Sequence, residues 1–288
     1  MPREYYRITL ADHLFVGIVD STGDKKEIQV GGAGTRKCCI MKLDIKKGTT
    51  HIIDFIYRKH CRVLADLERG PGTHLLIRAS VFLAFALYPE ARTLTIQDES
   101  TFPCESVWGD THHISLSDQA MLVHGQTWYQ RKLPGLEPHR DFASKVKSFR
   151  ERMNRPKRSF ADFWDHVGDV GNNKILKIIN NEYDKFKQLY ESTNTYGDFF
   201  MKLQQSFARE WTCTFYAHFF RHILSFMGIR SSLQGTVWTG DIHDIVRKLL
   251  IEHAGHLAIN VSDKFNGIEF RIKRRLFPTG ISVNKADL

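Results

Sequence analysis

A short cluster of glycines precedes the most apolar helix that the sequence predicts. The cluster and its flanks read Arg69, Gly70, Pro71, Gly72 and Thr73. Glycine lets the backbone approach a ligand closely, and the free N–H groups at the start of a helix attract phosphate. Two interpretations stay open: a phosphate-binding loop, or an ordinary loop that leads into a helix. No P-loop pattern exists here, and the third glycine of a dinucleotide-binding turn is missing.

Histidine pairs recur along the chain. His218 and His222 lie four residues apart, so a helix would place both imidazoles on one face at a spacing that metal ligands use. No Glu follows the first of them, as the zinc-protease pattern requires. His112 and His113 fall in a predicted loop and carry an equally weak signal. Since the chain has 14 His, chance pairs are expected, and we predict no metal site.

A basic segment follows in the second half of the chain. Residues 145–158 include one acid, Glu151, and six candidates for contact with nucleic acid or another polyanion: Lys145, Lys147, Arg150, Arg155, Lys157 and Arg158. Apolar residues in and just before the segment recur at helical spacing: Phe142, Val146, Phe149 and Met153. The segment is either the solvated face of a core helix or a surface that docks on nucleic acid or lipid.

Composition limits the classes of protein to consider. The 288 residues include 41 Lys and Arg against 32 Asp and Glu, a net charge of +9, which favours anionic partners and says nothing about fold. A hydrophobic share of 42% and a charged share of 25% exclude a disordered or collagen-like chain. No apolar run reaches the ~18 residues of a membrane span, and the first ten residues do not resemble a signal peptide.

Cysteine usage predicts a compartment. The five Cys form an odd set without a C-x-x-C spacing: Cys38, Cys39, Cys61, Cys104 and Cys213. We interpret them as reduced thiols rather than a disulfide framework. Together with the absence of a leader, this predicts an intracellular protein.

The first half of the chain predicts an α/β arrangement. Alternating β-branched and aromatic residues favour antiparallel strands at 5–10, 13–20, 26–30, 37–46 and 51–57. A helix over 74–87, with Thr73 as its N-cap, a strand over 93–97 and a helix over 117–124 that ends at Gly125 follow.

The second half predicts helices and a late strand over 267–277. Aromatic residues at spacings of mostly three and four indicate one long helix over 196–227. Its wide apolar stripe suits either a core or a homo-oligomer interface. We therefore predict an α/β (α+β) domain over 1–138, with a mixed and mostly antiparallel sheet, and a mainly helical domain over 139–288.

The order of these elements resembles the GCN5-related N-acetyltransferase superfamily. There, a loop of pattern Q/R-x-x-G-x-G/A holds the pyrophosphate of acetyl-CoA. Arg69 and Gly72 match this pattern, whereas His74 stands where its small residue belongs. Tyr129 fits a Tyr near the end of a later helix, without the Gly-Phe that follows it in the superfamily. The stretch 124–129 is also similar to a segment in uncharacterised proteins of large nucleocytoplasmic DNA viruses. The resemblance covers roughly residues 40–135.

The resemblance implies direct acyl transfer from acetyl-CoA. Arg69, Gly70, Gly72 and Thr73 would form the cofactor-binding loop, and Asp98 or Glu99 would take a proton from an amine. Tyr129 would protonate the departing thiolate, since a phenol of pKa about 10 can donate to it.

Two functions follow as alternatives. The bulky His74 would obstruct the loop, so the first is an acetyltransferase-like viral protein, active or degenerate. The second is a non-enzymatic virion or nucleoprotein component, in which the basic segment holds nucleic acid and residues 196–227 self-associate.

Overall fold

The structure is a computed structural model that describes residues 3–11, 13–31, 38–55, 71–168, 180–253, 257–262 and 272–275. It separates into two compact units, each discontinuous in sequence. The first unit comprises Met1–Gln97, Lys132–Glu137 and Val237–Leu288, and the second comprises Asp98–Arg131 and Pro138–Thr236. The chain passes from one unit to the other after Gln97, Arg131, Glu137 and Thr236. The domain boundary predicted between residues 138 and 139 lies one residue after the passage at Glu137.

A meander of antiparallel strands begins the first unit. Its strands are β1 (Arg3–Leu10), β2 (His13–Thr22), β3 (Lys25–Val30), β4 (Cys39–Asp44) and β5 (Thr49–Phe55). Each pairs with the next in sequence. Between β2 and β3 the two-residue turn contains Gly23 at φ +56°, a conformation that favours glycine. The alternation of buried residues confirms the strands predicted from the sequence.

After β5, a helical crossover connects the chain to a strand that pairs with β5 in parallel. Helix α1 (Pro71–Leu87) follows β5 and leads to β6 (Thr93–Asp98), which pairs with β5 in parallel. Such a parallel pair needs a crossover connection rather than a hairpin. The helix packs on β1, β2, β3 and β4, and buries Ile77, Phe82 and Leu83 completely. The predicted α/β class with a mostly antiparallel sheet is confirmed.

Strands from distant parts of the chain extend the sheet on both sides. Next to β1 lie β11 (Leu257–Ser262) and then β12 (Ile272–Arg275). Next to β6 lie β10 (Thr236–Asp241) and then β9 (Glu137–Pro138). The helix between β10 and β11 spans Ile242–His253 and packs on α1. The sequence predicted neither β10 nor β11, and most of the strand predicted over 267–277 lies outside the described residues.

The second unit is mainly helical, in agreement with the prediction for this part. Its helices are α2 (Leu116–His124), α3 (Trp128–Lys132), α4 (Arg140–Met153), α5 (Phe160–Gly168), α6 (Tyr183–Glu191), α7 (Tyr196–Ser206) and α8 (Arg209–Phe226). The helix Ile242–His253 of the first unit is α9. An antiparallel hairpin of β7 (Thr101–Glu105) and β8 (Thr111–Ser115) also belongs to this unit and was not predicted. Gly125 ends α2 in the left-handed region, as predicted.

Aromatic side chains form the core of the second unit. Phe163, Phe186, Phe199 and Phe215 are fully buried. The Phe186 ring is stacked on that of Phe163, edge-on to that of Phe199 and tilted against that of Phe215. The prediction of one helix over 196–227 is wrong, because the backbone turns extended at Phe207 (ψ 152°) and divides α7 from α8. The apolar stripe is covered within this unit, so it is not available as the broad interface that self-association would use.

Disulfide bonds contradict the prediction of reduced thiols. Cys104 of β7 and Cys213 of α8 are bonded, with Cα atoms 5.3 Å apart. Cys38 is also disulfide-bonded. No sequence pattern indicated the first pair, since 109 positions separate its members. None of the helices in the described residues is long and apolar enough to span a membrane.

Candidate functional site

The predicted cofactor-binding residues fall at the start of α1. Arg69 and Gly70 lie outside the described residues. Gly72 and Thr73 lie within the first turn of α1, so the prediction that Thr73 caps a helix beginning at His74 is wrong. The helix starts earlier because the ring of Pro71 fixes φ near about −65°, which suits the first helical position. The first four N–H groups of a helix have no partner inside it, and these include those of Gly72 and Thr73.

The parallel strands β5 and β6 pair over only part of their length. Pairing of β5 with β6 runs from Thr49–Thr93 to Ile52–Ile96. Strand β5 continues to Phe55 in pairing with β4, and β6 continues to Asp98. Beyond Ile52 and Ile96 the described residues of β5 and β6 do not pair with each other, and because the strands are parallel their carboxyl ends lie at the same edge of the sheet. In sheets with parallel strands, ligands bind at such an edge, beside a helix N-terminus.

Polar contacts connect the second turn of α1 to other parts of the first unit. The Arg78 guanidinium is buried; its Nη1 lies 2.6 Å from Oε2 of Glu252 and 2.8 Å from Nε2 of His253. Its Nε donates to the carbonyl of Lys132 at 3.1 Å. These partners come from two distant segments of the first unit, and 175 positions separate Arg78 from His253. Sequence spacing could not have revealed this group.

His74 is a neutral side chain near this group. Burial lowers its pKa to about 4, and the positive charges of Lys132 and Arg78 act in the same direction. The imidazole is half-buried in the first turns of α1. It therefore adds no positive charge to the helix start at neutral pH.

Asp98, one of the predicted proton acceptors, is the last residue of β6. Its side chain is completely buried, and Oδ1 accepts from the backbone N–H of Ser100 at 3.2 Å and from the Ser100 hydroxyl. Oδ2 has no hydrogen-bond partner among the described residues. Burial raises the pKa of Asp98 to about 6, against the lowering effect of the Ser100 hydrogen bonds. A carboxyl that titrates just below neutrality suits a general base.

The other two predicted catalytic residues differ in exposure. Glu99 is exposed and follows Asp98 directly. Tyr129 lies in the short helix α3 with only 5% of its surface exposed, and its ring meets that of Trp128 edge-on. Asp98, Glu99 and Tyr129 belong to the second unit, whereas Gly72 and Thr73 belong to the first. The catalytic roles stay predictions.

The basic segment divides into structural and exposed residues. The Lys157 ammonium donates to the carbonyls of Tyr190 and Thr193, and burial lowers its pKa to about 8. Arg150 donates to Oε1 of Gln130 at 3.2 Å, and the Arg158 guanidinium lies 5.0 Å from the centre of the Phe226 ring.

The remaining three candidates in this segment differ in exposure. Lys145 is half-buried, with its pKa lowered by burial, whereas Lys147 and Arg155 are exposed. The two exposed side chains border a shallow cavity of about 610 Å³ on the outer face of α4.

Comparison with known proteins assigns no family: no family model, curated protein or solved structure matches this chain. In the part of the chain that the structure describes, no group of three His, Cys, Asp or Glu could hold a metal ion.

Proposed function

We propose that this chain is an acetyltransferase-like protein whose first unit binds acetyl-CoA at the start of α1. The free N–H groups at that helix start carry the proposal, together with the carboxyl ends of β5 and β6, which do not pair with each other beyond Ile52 and Ile96. Free N–H groups at a helix N-terminus favour phosphate. The N–H groups of Gly72 and Thr73 would bind the pyrophosphate, together with Arg69 and Gly70.

Among the predicted catalytic residues, Asp98 has the chemistry of a proton acceptor. Because burial raises its pKa to about 6, the carboxyl is ionised only above about pH 6, and activity that depends on it would rise with pH through this value. Glu99 is the exposed alternative for the same role, and Tyr129 is assigned to protonate the thiolate.

Thermal unfolding in the presence of acetyl-CoA tests the cofactor. A ligand present at 100 times its Kd stabilises the folded state by about 2.7 kcal/mol. Gly72→Glu should abolish this stabilisation, because the carboxylate repels a pyrophosphate. The same charge favours the helix start, so the variant should fold. Gly72→Ala is the matched control and should keep the effect. Equal stabilisation of the wild type and Gly72→Glu would exclude this binding mode.

A second candidate function, contact with nucleic acid, draws on the exposed Lys147 and Arg155. Each phosphate contact adds about 0.9 to the slope of log K against log salt concentration. Removing both charges should therefore flatten the slope for duplex binding by about two, and Lys202→Ala, an exposed lysine on α7, should not. A duplex affinity that does not change with salt would exclude this function.

The compartment belongs to the proposal as well. An intracellular or virion location was predicted, yet disulfides persist mainly in oxidising surroundings. The bonds at Cys38 and Cys104–Cys213 therefore favour a compartment or particle surface that is oxidising. Titration of free thiols in protein from its native source would decide between the two.

A further inference from the structure

The second unit contains a cavity that the proposed acetyl-CoA site does not use. Its volume is about 1100 Å³, enough for a nucleotide-sized molecule. Four elements form its walls: β8, the first turn of α2, α8 and the segment 228–234 after α8. All of them belong to the second unit.

Six side chains in the wall are cationic or become so on protonation. These are His112, His113, His218, Arg221, His222 and Arg230. Arg221 and Arg230 are exposed, and neither forms an ion pair with a residue that the structure describes. Two permanent positive charges without an internal counter-ion leave the cavity attractive to an anion.

The carboxylate in the wall, that of Asp118, already has hydrogen-bond partners within the second unit. Asp118 is 1% exposed, and its carboxylate accepts from the backbone N–H of Leu233 at 2.5 Å and from the Ser232 hydroxyl. Burial raises its pKa. The carboxylate therefore fixes the segment that carries Arg230 and does not neutralise the arginines.

Unpartnered polar atoms in the wall point to a missing hydrogen-bonding group. Tyr216 is 1% exposed and lines the cavity, and its hydroxyl has no partner among the described residues. Nε2 of His112 and Nε2 of His218 also have no hydrogen-bond partner among the described residues, and the centres of the two rings lie 5.1 Å apart. Buried polar groups are nearly always hydrogen-bonded, so these three atoms leave hydrogen-bonding capacity in the wall that the described residues do not use.

The rest of the wall is apolar. Phe220, Leu224 and Ile229 line the same cavity, as does the buried Ile114. This combination suits a ligand with an anionic end and an organic body better than a bare ion. The cavity is also concave, as binding sites for small molecules are.

We propose that this cavity binds a phosphorylated small molecule of nucleotide size. Arg221 and Arg230 hold the phosphate groups, the orphaned hydroxyl and imidazole nitrogens donate to its oxygens, and the apolar wall contacts the organic part. Arginine suits this role because its guanidinium can bind two phosphate oxygens at once.

The disulfide positions two walls of the cavity. Cys104–Cys213 joins the β7–β8 hairpin to α8, and the backbone N–H of Val107 donates to Oγ1 of Thr214 at 3.0 Å on the same helix. The hairpin carries His112 and His113, and α8 carries Tyr216 and His218. Loss of the disulfide should therefore weaken the ligand's binding even where the unit stays folded.

Calorimetric titration of the full chain with ATP, AMP, pyrophosphate and adenosine tests the proposal. The titrations use the Gly72→Glu chain, so that the proposed acetyl-CoA site does not contribute. We expect ATP to bind at least about tenfold more tightly than adenosine, since a charge-assisted hydrogen bond is stronger than a neutral one. Arg221→Ala with Arg230→Ala should reduce ATP affinity at least about a hundredfold, one decade for each arginine. Arg209→Ala, an exposed arginine on the same helix, should leave it unchanged.

Tyr216→Phe separates ligand binding from folding. It removes the orphaned hydroxyl and keeps the ring, so a structural tyrosine would show no change in affinity. We expect ATP affinity to fall about tenfold while the melting temperature of the free protein stays equal or rises. Failure of ATP to bind at 1 mM, equal binding of adenosine, or insensitivity to the arginine pair would overturn the proposal. Arginine-dependent binding of a duplex without ATP binding would overturn it in favour of nucleic acid.

Discussion

The two units present anion-attracting surfaces of different construction. In the first, the proposed site consists of backbone N–H groups at the start of α1. In the second, arginine and histidine side chains line a cavity between α8 and β8. A backbone site depends on the sheet topology, whereas a side-chain site depends on how firmly its walls are held. Substitutions should therefore disturb the two sites independently and by different means.

Removal of the Cys104–Cys213 disulfide should have the largest effect. It closes a loop of 109 residues, and a bond across about 100 residues contributes roughly 2–5 kcal/mol to the free energy of unfolding. Cys104→Ser with Cys213→Ser should destabilise the second unit by this amount and leave the sheet of the first unit folded. Urea unfolding followed by both tryptophan fluorescence and far-UV circular dichroism would detect the separate transitions. One coincident transition of unchanged midpoint would contradict the proposed role of this bond.

Two lysines of the second unit, one with buried contacts and one exposed, should differ in their contribution to stability. Lys157→Met should cost about 1–3 kcal/mol, because it leaves the carbonyls of Tyr190 and Thr193 without their donor. Lys147→Met, whose side chain is 79% exposed, should change stability by less than about 0.5 kcal/mol. Urea midpoints of the two variants provide the measurement. Similar losses for both would mean that the buried contacts of Lys157 contribute nothing.

His74 in the first unit should give the smallest effect, visible as a pH dependence. Its pKa is about 4 when folded and 6.5 when unfolded. The stabilisation is complete above pH 6.5 and is lost as the pH falls toward 4. Because the imidazole is only half-buried, solvent screening limits the loss to about 1–2 kcal/mol. His74→Gln should remove this part of the pH dependence of the urea midpoint, and an unchanged pH profile would show that His74 is not responsible.

Local patterns predicted much of the first unit. Strands β1 to β6 and helix α1 follow the alternation and stripes of apolar residues, which report burial along a single segment. Strands β10 and β11 were missed because their partners β6 and β1 lie far away in the chain. Arg78 is likewise far from Glu252 and His253 in the chain, so no local pattern indicated that these side chains are in contact.

The second unit shows where periodicity fails. Aromatic spacing continues through Phe207, although the helix ends there, since aromatic residues pack as well from two helices as from one. The histidines of the cavity were visible as pairs, but Arg230 and Tyr216 were not connected with them. A wall built from β8, α2 and α8 has no signature in any one of these segments.

The most direct test of the proposed function is calorimetric titration with acetyl-CoA in the Arg221→Ala, Arg230→Ala chain, in which the cavity of the second unit no longer competes. We predict saturable binding at one site per chain, which Gly72→Ala retains and Gly72→Glu weakens at least about tenfold by placing a like charge beside the pyrophosphate. Absence of binding at 1 mM acetyl-CoA, or equal affinity of the two Gly72 variants, would contradict it.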